Sequence, residues 1–145
     1  MKKIIFTLLA ATATVSAAMA MNPKNVLTDK LPKEARHLIH SNYRQQAVAK
    51  LTTDWDTSST HYKAELGNGT VMYFDGYGQW NAIDNQDESL PKGIVPRRIS
   101  RYVKKNFPGS DIVAAAHSQT DNSYGVILDN DLELVFDGKG HYTGW

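Results

Sequence analysis

The sequence contains no cysteine among its 145 residues. That absence excludes stabilising disulfides, a thiolate nucleophile, cysteine metal ligands and a lipid-modified cysteine anchor. The fold must therefore be held by packing. An excess of either charge is also missing, with 16 Lys and Arg against 15 Asp and Glu, so no basic field exists to hold nucleic acid. No apolar run is long enough to cross a bilayer comfortably; the longest extends from Ile4 to Val15. Finally, the chain has no Gly-x-Ser-x-Gly, no phosphate-cradling glycine loop and no His-Glu-x-x-His. Its acids, such as Asp54 with Asp56 or Asp129 with Asp131, fall in expected loops where carboxylates are ordinarily solvated. No enzymatic frame is expected, and no cofactor.

The apolar run at the start has the flanks of an export signal. Lys2 and Lys3 precede it, and small residues ending in Ala18-Met19-Ala20 follow, which places cleavage after Ala20. The mature chain, residues 21–145, then carries fourteen basic and fifteen acidic side chains, a formal charge of −1. It is long enough for one domain of ordinary size and has no membrane span.

The most informative feature is an internal repeat. Leu31-Pro32 followed by Ala35, Leu38, Ile39 and Tyr43 is matched by Val95-Pro96 followed by Ile99, Tyr102, Val103 and Phe107. Both are helical stripes opened by a proline. Each helix leads to a segment with β-branched residues, Val48 to Trp55 and Ile112 to His117, and then to a hairpin. Tyr62 to Leu66 matches Tyr124 to Leu128, and Thr70 to Gly78 matches Leu132 to Gly140, with Phe-Asp-Gly-x-Gly in both. The offset is 64 residues across the helices and 62 across the hairpins. The first copy thus has two extra residues around Asp54 to Thr60, where a surface loop would absorb them.

Hairpin register follows from the pattern. A three-residue loop Gly67-Asn68-Gly69 sets Leu66, Ala64 and Tyr62 opposite Thr70, Met72 and Phe74. In the other copy it sets Leu128, Val126 and Tyr124 opposite Leu132, Leu134 and Phe136. Both choices gather an apolar face for the helix to cover. The left-handed loop position is Gly69 in one copy and Asp131 in the other, which predicts a different second turn. Asn68-Gly69-Thr70 is formally a glycosylation acceptor, but its turn chemistry suffices to explain it.

The same register sends Lys63, Glu65, Val71, Tyr73, Ile127, Glu133 and Val135 to the second face. Two such copies give roughly eight strands with helices on one face, an α+β fold built on a continuous antiparallel sheet. The uncovered face is a natural binding platform. Tyr73, Trp80, Tyr77, Trp55, Tyr142 and Trp145 are the candidate partner-binding residues, since Tyr and Trp supply large contact area with one polar atom. Each also has a plain structural reading as a cap on the core edge.

Metal chemistry is weakly signalled. His37 and His40 lie at i, i+3 on the first helix, but no acidic partner lies at ligand spacing, and Arg101 and Lys104 replace them in the second copy. Asp75 to Gly78 and Asp137 to Gly140 supply too few oxygen ligands for a calcium loop; tight turns explain them.

The paired Leu-Pro and Val-Pro helices, Asn106-Phe107-Pro108-Gly109, the Tyr-initiated strands and the repeated Phe-Asp-Gly-x-Gly resemble the PepSY-like proteins described as beta-lactamase-inhibitor-like. The resemblance covers roughly residues 31–145. It implies helix-on-sheet units and a binding or inhibitory role in the cell envelope, with a protein partner; a small ligand such as a metal ion, glycan or peptide is the alternative. Tyr43-Arg44-Gln45 replaces Phe107-Pro108-Gly109, so the first helix exit departs from the pattern. The expected organisation is a signal peptide at 1–20, an extension at 21–30, one repeat at 31–84, a linker at 85–94 and a second repeat at 95–145.

Overall fold

A computed structural model describes residues 26–57 and 60–144, without the side chains of residues 54–57. The expected export segment and Trp145 lie outside the described residues. A 3-10 turn at Thr28–Lys30 precedes helix α1 (Lys33–Asn42) and strands β1 (Val48–Thr57), β2 (Thr60–Leu66), β3 (Val71–Phe74) and β4 (Trp80–Asp84). Helix α2 (Arg97–Asn106) precedes β5 (Ile112–His117), β6 (Tyr124–Leu128) and β7 (Glu133–Phe136). The fold is thus two helices and a seven-stranded antiparallel sheet in which the strands follow chain order from β1 to β7. The chain divides into two units between Ile83 and Asp84.

In the N-terminal unit, β2 and β3 pair with Tyr62 opposite Phe74 and Ala64 opposite Met72. Leu66 N–H donates to the Thr70 carbonyl and Gly69 N–H to the Leu66 carbonyl, which closes the expected three-residue loop. Ala64, Leu66, Thr70, Met72 and Phe74 are all buried, as are Leu31, Ala35 and Ile39 from the helix and the residue before it. The helical stripe and this one sheet face bury each other, which is what a 3.6-residue and a 2-residue period produce when their apolar sides meet.

The C-terminal unit repeats the plan, with Tyr124 opposite Phe136 and Val126 opposite Leu134. Leu128 and Asp131 make the same two loop hydrogen bonds. Asp131 has φ 66° where Gly69 has 93°, so the second turn does not differ as the sequence suggested. Asx geometry explains the tolerance: Asn130 Oδ1 accepts from Leu132 N–H, as Asn68 Oδ1 accepts from Thr70 N–H. Both first strands carry an irregularity at the same place, between Val48 and Lys50 and between Ile112 and Ala114.

Three expectations are revised. The sheet has seven strands rather than roughly eight, because the stretch after β7 makes only an isolated bridge, Phe136 with Tyr142. The two extra residues of the first copy lengthen the β1–β2 hairpin, beyond the Thr53–Tyr62 pair where the register shifts, instead of forming a loop. Both helices also leave in the same way. Tyr43 and Phe107 have φ/ψ of −133°/53° and −131°/62°, and each N–H donates four residues back. Residues 85–94 are tied down as well, with Asn85 N–H donating to Val113 and Leu90 N–H to Ile112.

Tyr43 differs from Phe107 by a hydroxyl that is buried with no hydrogen-bond partner among the described residues. Burial pushes its phenol above the usual range. An unmet buried hydroxyl costs about 1–3 kcal/mol, so Tyr43→Phe, which copies the other unit, should raise stability by about 1 kcal/mol. Urea denaturation measures it; a destabilised variant would show that the hydroxyl has a partner.

Candidate functional site

The repeated Phe-Asp-Gly-x-Gly builds the same device twice. Asp75 Oδ1 accepts from the backbone N–H groups of Tyr77 and Gln79, both at 2.9 Å. Asp137 Oδ1 accepts from those of Lys139 and His141 at 2.9 and 2.8 Å. These bonds, with His141 N–H the strongest influence, hold the Asp137 carboxyl below the usual carboxylate range. Each aspartate is a clamp on its own turn through its Oδ1.

The last glycine seats the helix. Gly78 has φ 88°, and a Cβ there would lie 2.9 Å from both the Ala35 backbone nitrogen and Pro32 Cβ. Gly140 has φ 81° and faces the Arg98 side chain at 3.1 Å. A turn clamped by an aspartate and pressed against a helix start holds its middle residue rigidly outward. That residue is Tyr77, 84% exposed, in one unit and the exposed Lys139 in the other.

In the C-terminal unit the turn also carries a polar and aromatic cluster. His141 Nδ1 lies 3.1 Å from Asp137 Oδ2, and its Nε2 meets Arg98 Nη1. Both His141 and Asp137 are well solvated, so this pair adds little stability. Beside it Tyr142, 41% exposed, stacks on Tyr102 at 5.0 Å and 18°. At the β5–β6 loop, His117 stacks on Tyr124 at 4.3 Å, and its Nε2 is 2.6 Å from Asn122 Oδ1.

The structure separates the candidate residues. Tyr73 is 4% exposed, with Lys63 Nζ 5.9 Å above its ring, and Lys63 pairs with Glu65 at 3.5 Å. Val71 is buried too, so the second face of β2–β3 is not an open platform. Trp80 opens β4 and is half-buried. Tyr77 and Tyr142 are the exposed aromatics, at turn and strap positions rather than on the sheet face. Trp55 lies in β1 with its side chain outside the described residues, as is Trp145. No group of three or more His, Asp or Glu that could hold a metal lies among the described residues. The helix-seating role of Gly78 and Gly140 was missed; the signal was the second glycine of the motif, kept in both copies.

Among solved structures the chain is similar to a Bacteroides vulgatus protein described as a "putative periplasmic protein of unknown function", with 32% identity and TM-score 0.71 over 80% of this chain and 91% of that one. It is also similar to a Bacteroides thetaiotaomicron protein described as a "putative calcium-regulated periplasmic protein", with 29% identity and TM-score 0.70 over 80% and 90%. A second Bacteroides vulgatus protein, described as periplasmic and of the DUF2874 family, gives 28% identity and TM-score 0.69 over 86% and 97%. No curated protein matches. The family model described as "Putative beta-lactamase-inhibitor-like, PepSY-like" matches residues 19–77 and again 60–143. Two matches spanning nearly all of the chain outside its N-terminal segment leave one assignment: the chain belongs to the PepSY-like family.

Proposed function

We propose that the protein is exported to the periplasm and acts there as a non-enzymatic binding protein, inhibitor-like in character, that presents turn aromatics to a protein partner. The observation that carries this reading is Tyr77, 84% exposed on a turn whose backbone is fixed by Asp75 and Gly78. A tyrosine whose backbone is fixed before binding loses less entropy on docking than one on a mobile loop, and tyrosines often anchor interfaces. The export-signal pattern expected at 1–20 and the relatives described as periplasmic support the compartment. The family description supports the inhibitor-like character.

The test is capture by the mature chain from an envelope fraction, followed by affinity measurement with the enriched protein. Tyr77→Ala should weaken that affinity at least about tenfold, or 1.4 kcal/mol, without changing the melting temperature. Unchanged affinity would remove Tyr77 from the interface.

One relative supplies a second reading, since its description includes calcium regulation. A calcium ion that binds only the folded chain must raise its melting temperature. Because no group of three or more His, Asp or Glu that could hold a metal lies among the described residues, millimolar calcium should leave the melting temperature unmoved. A rise that chelator reverses would favour calcium.

A further inference from the structure

We propose that the outer face of α2 is a docking surface for an acidic segment of a protein partner. This rests on the reading of the chain as a binding protein and names the partner's chemistry.

Helix α2 exposes Arg97, Arg98, Arg101, Lys104 and Lys105. It contains no acid, and none occurs between Glu88 and Asp111. Among the described residues no carboxylate lies within 4.0 Å of these five, unlike Lys63, which pairs with Glu65. Arg98 meets the His141 ring instead.

Folding does not ask for this arrangement. Arg97 and Arg98 occupy the first turn, where the helix dipole favours negative charge. Arg97 with Arg101, Arg98 with Arg101, and Arg101 with Lys104 and Lys105 are like-charge pairs at i, i+3 or i, i+4, each destabilising by about 0.2–0.5 kcal/mol. The equivalent helix α1 forms on the same sheet face plan with Lys33, Glu34, His37, His40 and Ser41 at the matching positions. A cost borne by one copy and avoided by the other points to a use outside the fold.

The stripe from Arg97 to Lys105 is about 12 Å long at 1.5 Å per residue. Three of its five cations are arginine, whose fork suits carboxylates, and the exposed Tyr142 ring stacks on Tyr102 of the same helix. The apolar residues Ile99 and Val103 are buried, so α2 has nothing to insert into a lipid layer. Asp111 follows the helix, and Asp129, in the β6–β7 turn, donates its N–H to the Asp111 carbonyl. Acids at that end repel a broad anionic surface but leave room for a narrow acidic segment.

The test uses the mature chain, residues 21–145, and a short glutamate-rich synthetic peptide, with calorimetric titration at low and at physiological ionic strength. Arg97→Gln/Arg101→Gln/Lys104→Gln should weaken peptide binding at least about tenfold. The control Lys33→Gln/Arg36→Gln/Arg44→Gln, of equal charge change on exposed positions, should leave it within about twofold of wild type. The α2 variant should melt no lower than wild type, since like-charge repulsion is relieved. Equal loss in both variants, no peptide binding, or binding of phosphatidylglycerol vesicles without the peptide would overturn the proposal. So would self-association of the wild type that the α2 variant abolishes. Tyr77→Ala should leave peptide binding intact, so failure of the Tyr77 interface and failure of the α2 surface are read separately.

Discussion

Gly78→Ala should destabilise the protein by about 2–5 kcal/mol, a large part of what a domain of this size has to lose. Two costs combine. The residue sits at φ 88°, where an alanine Cβ crowds the following carbonyl, at about 1–2 kcal/mol. The added methyl would also stand 2.9 Å from the Ala35 nitrogen and from Pro32 Cβ. These belong to the first turn of α1, which cannot rotate away as a flexible side-chain tip can, so the helix must shift, at a further cost of about 1–3 kcal/mol. The C-terminal unit and the helix exit supply internal controls. Gly109, at φ 84° with nothing within 4 Å of a built Cβ, isolates the backbone term, and Gly109→Ala should cost about 1 kcal/mol. Gly140→Ala should fall between, because its neighbour is the Arg98 side chain. Urea midpoints with slopes checked for constancy give the three values. If Gly78→Ala and Gly109→Ala cost the same, α1 does not rest on that turn.

Phe136→Ala carries the second large effect, about 3–5 kcal/mol. Phe136 is fully buried; its ring meets Tyr102 edge-on at 5.4 Å and Tyr142 at 5.8 Å. Truncation leaves a cavity between helix and sheet and removes the ring contact that packs Tyr142 onto the strand beside its backbone bridge. The loss should therefore show locally as well as globally. The Thr143 amide, bonded to the Val135 carbonyl at 2.9 Å, should exchange with solvent faster than the global unfolding equilibrium alone would allow. A cost under about 2 kcal/mol, with that amide still protected, would mean that Tyr102 and Tyr142 collapse into the space.

The parts of this fold that could be read from the sequence were those set by local period. Pro32 and Pro96 mark helix starts, the stripe Ala35, Ile39 matches Ile99, Val103, and the alternation Tyr62, Ala64, Leu66 fixes a register that the paired residues repeat. What failed was long-range. Alternation assigns Tyr73 to the second face, but what lies against that face is not a property of β3, and Tyr73 proves buried. The fate of the last strand was equally hidden: Tyr142 stands where Trp80 does in the other copy, yet only Trp80 begins a strand. The turn chemistry sat between these extremes. Asp75 and Asp137 were legible as turn residues, whereas the reason for Gly78, a helix start pressed on it, required the third dimension. For the candidate site, exposure decides function, and exposure was the quantity the sequence withheld.

The strict chain-order pairing of the strands has a kinetic consequence. Strands β1 to β4 and strands β5 to β7 pair across short connections, whereas α2 lies between β4 and β5, so little loop entropy is spent before contacts reward each hairpin. Hairpins such as β2–β3 and β6–β7, closed by matching Asn-centred loops, can form within microseconds of their residues becoming available. Within each hairpin the unpaired edge meets the next segment of its own sequence before it can meet another molecule.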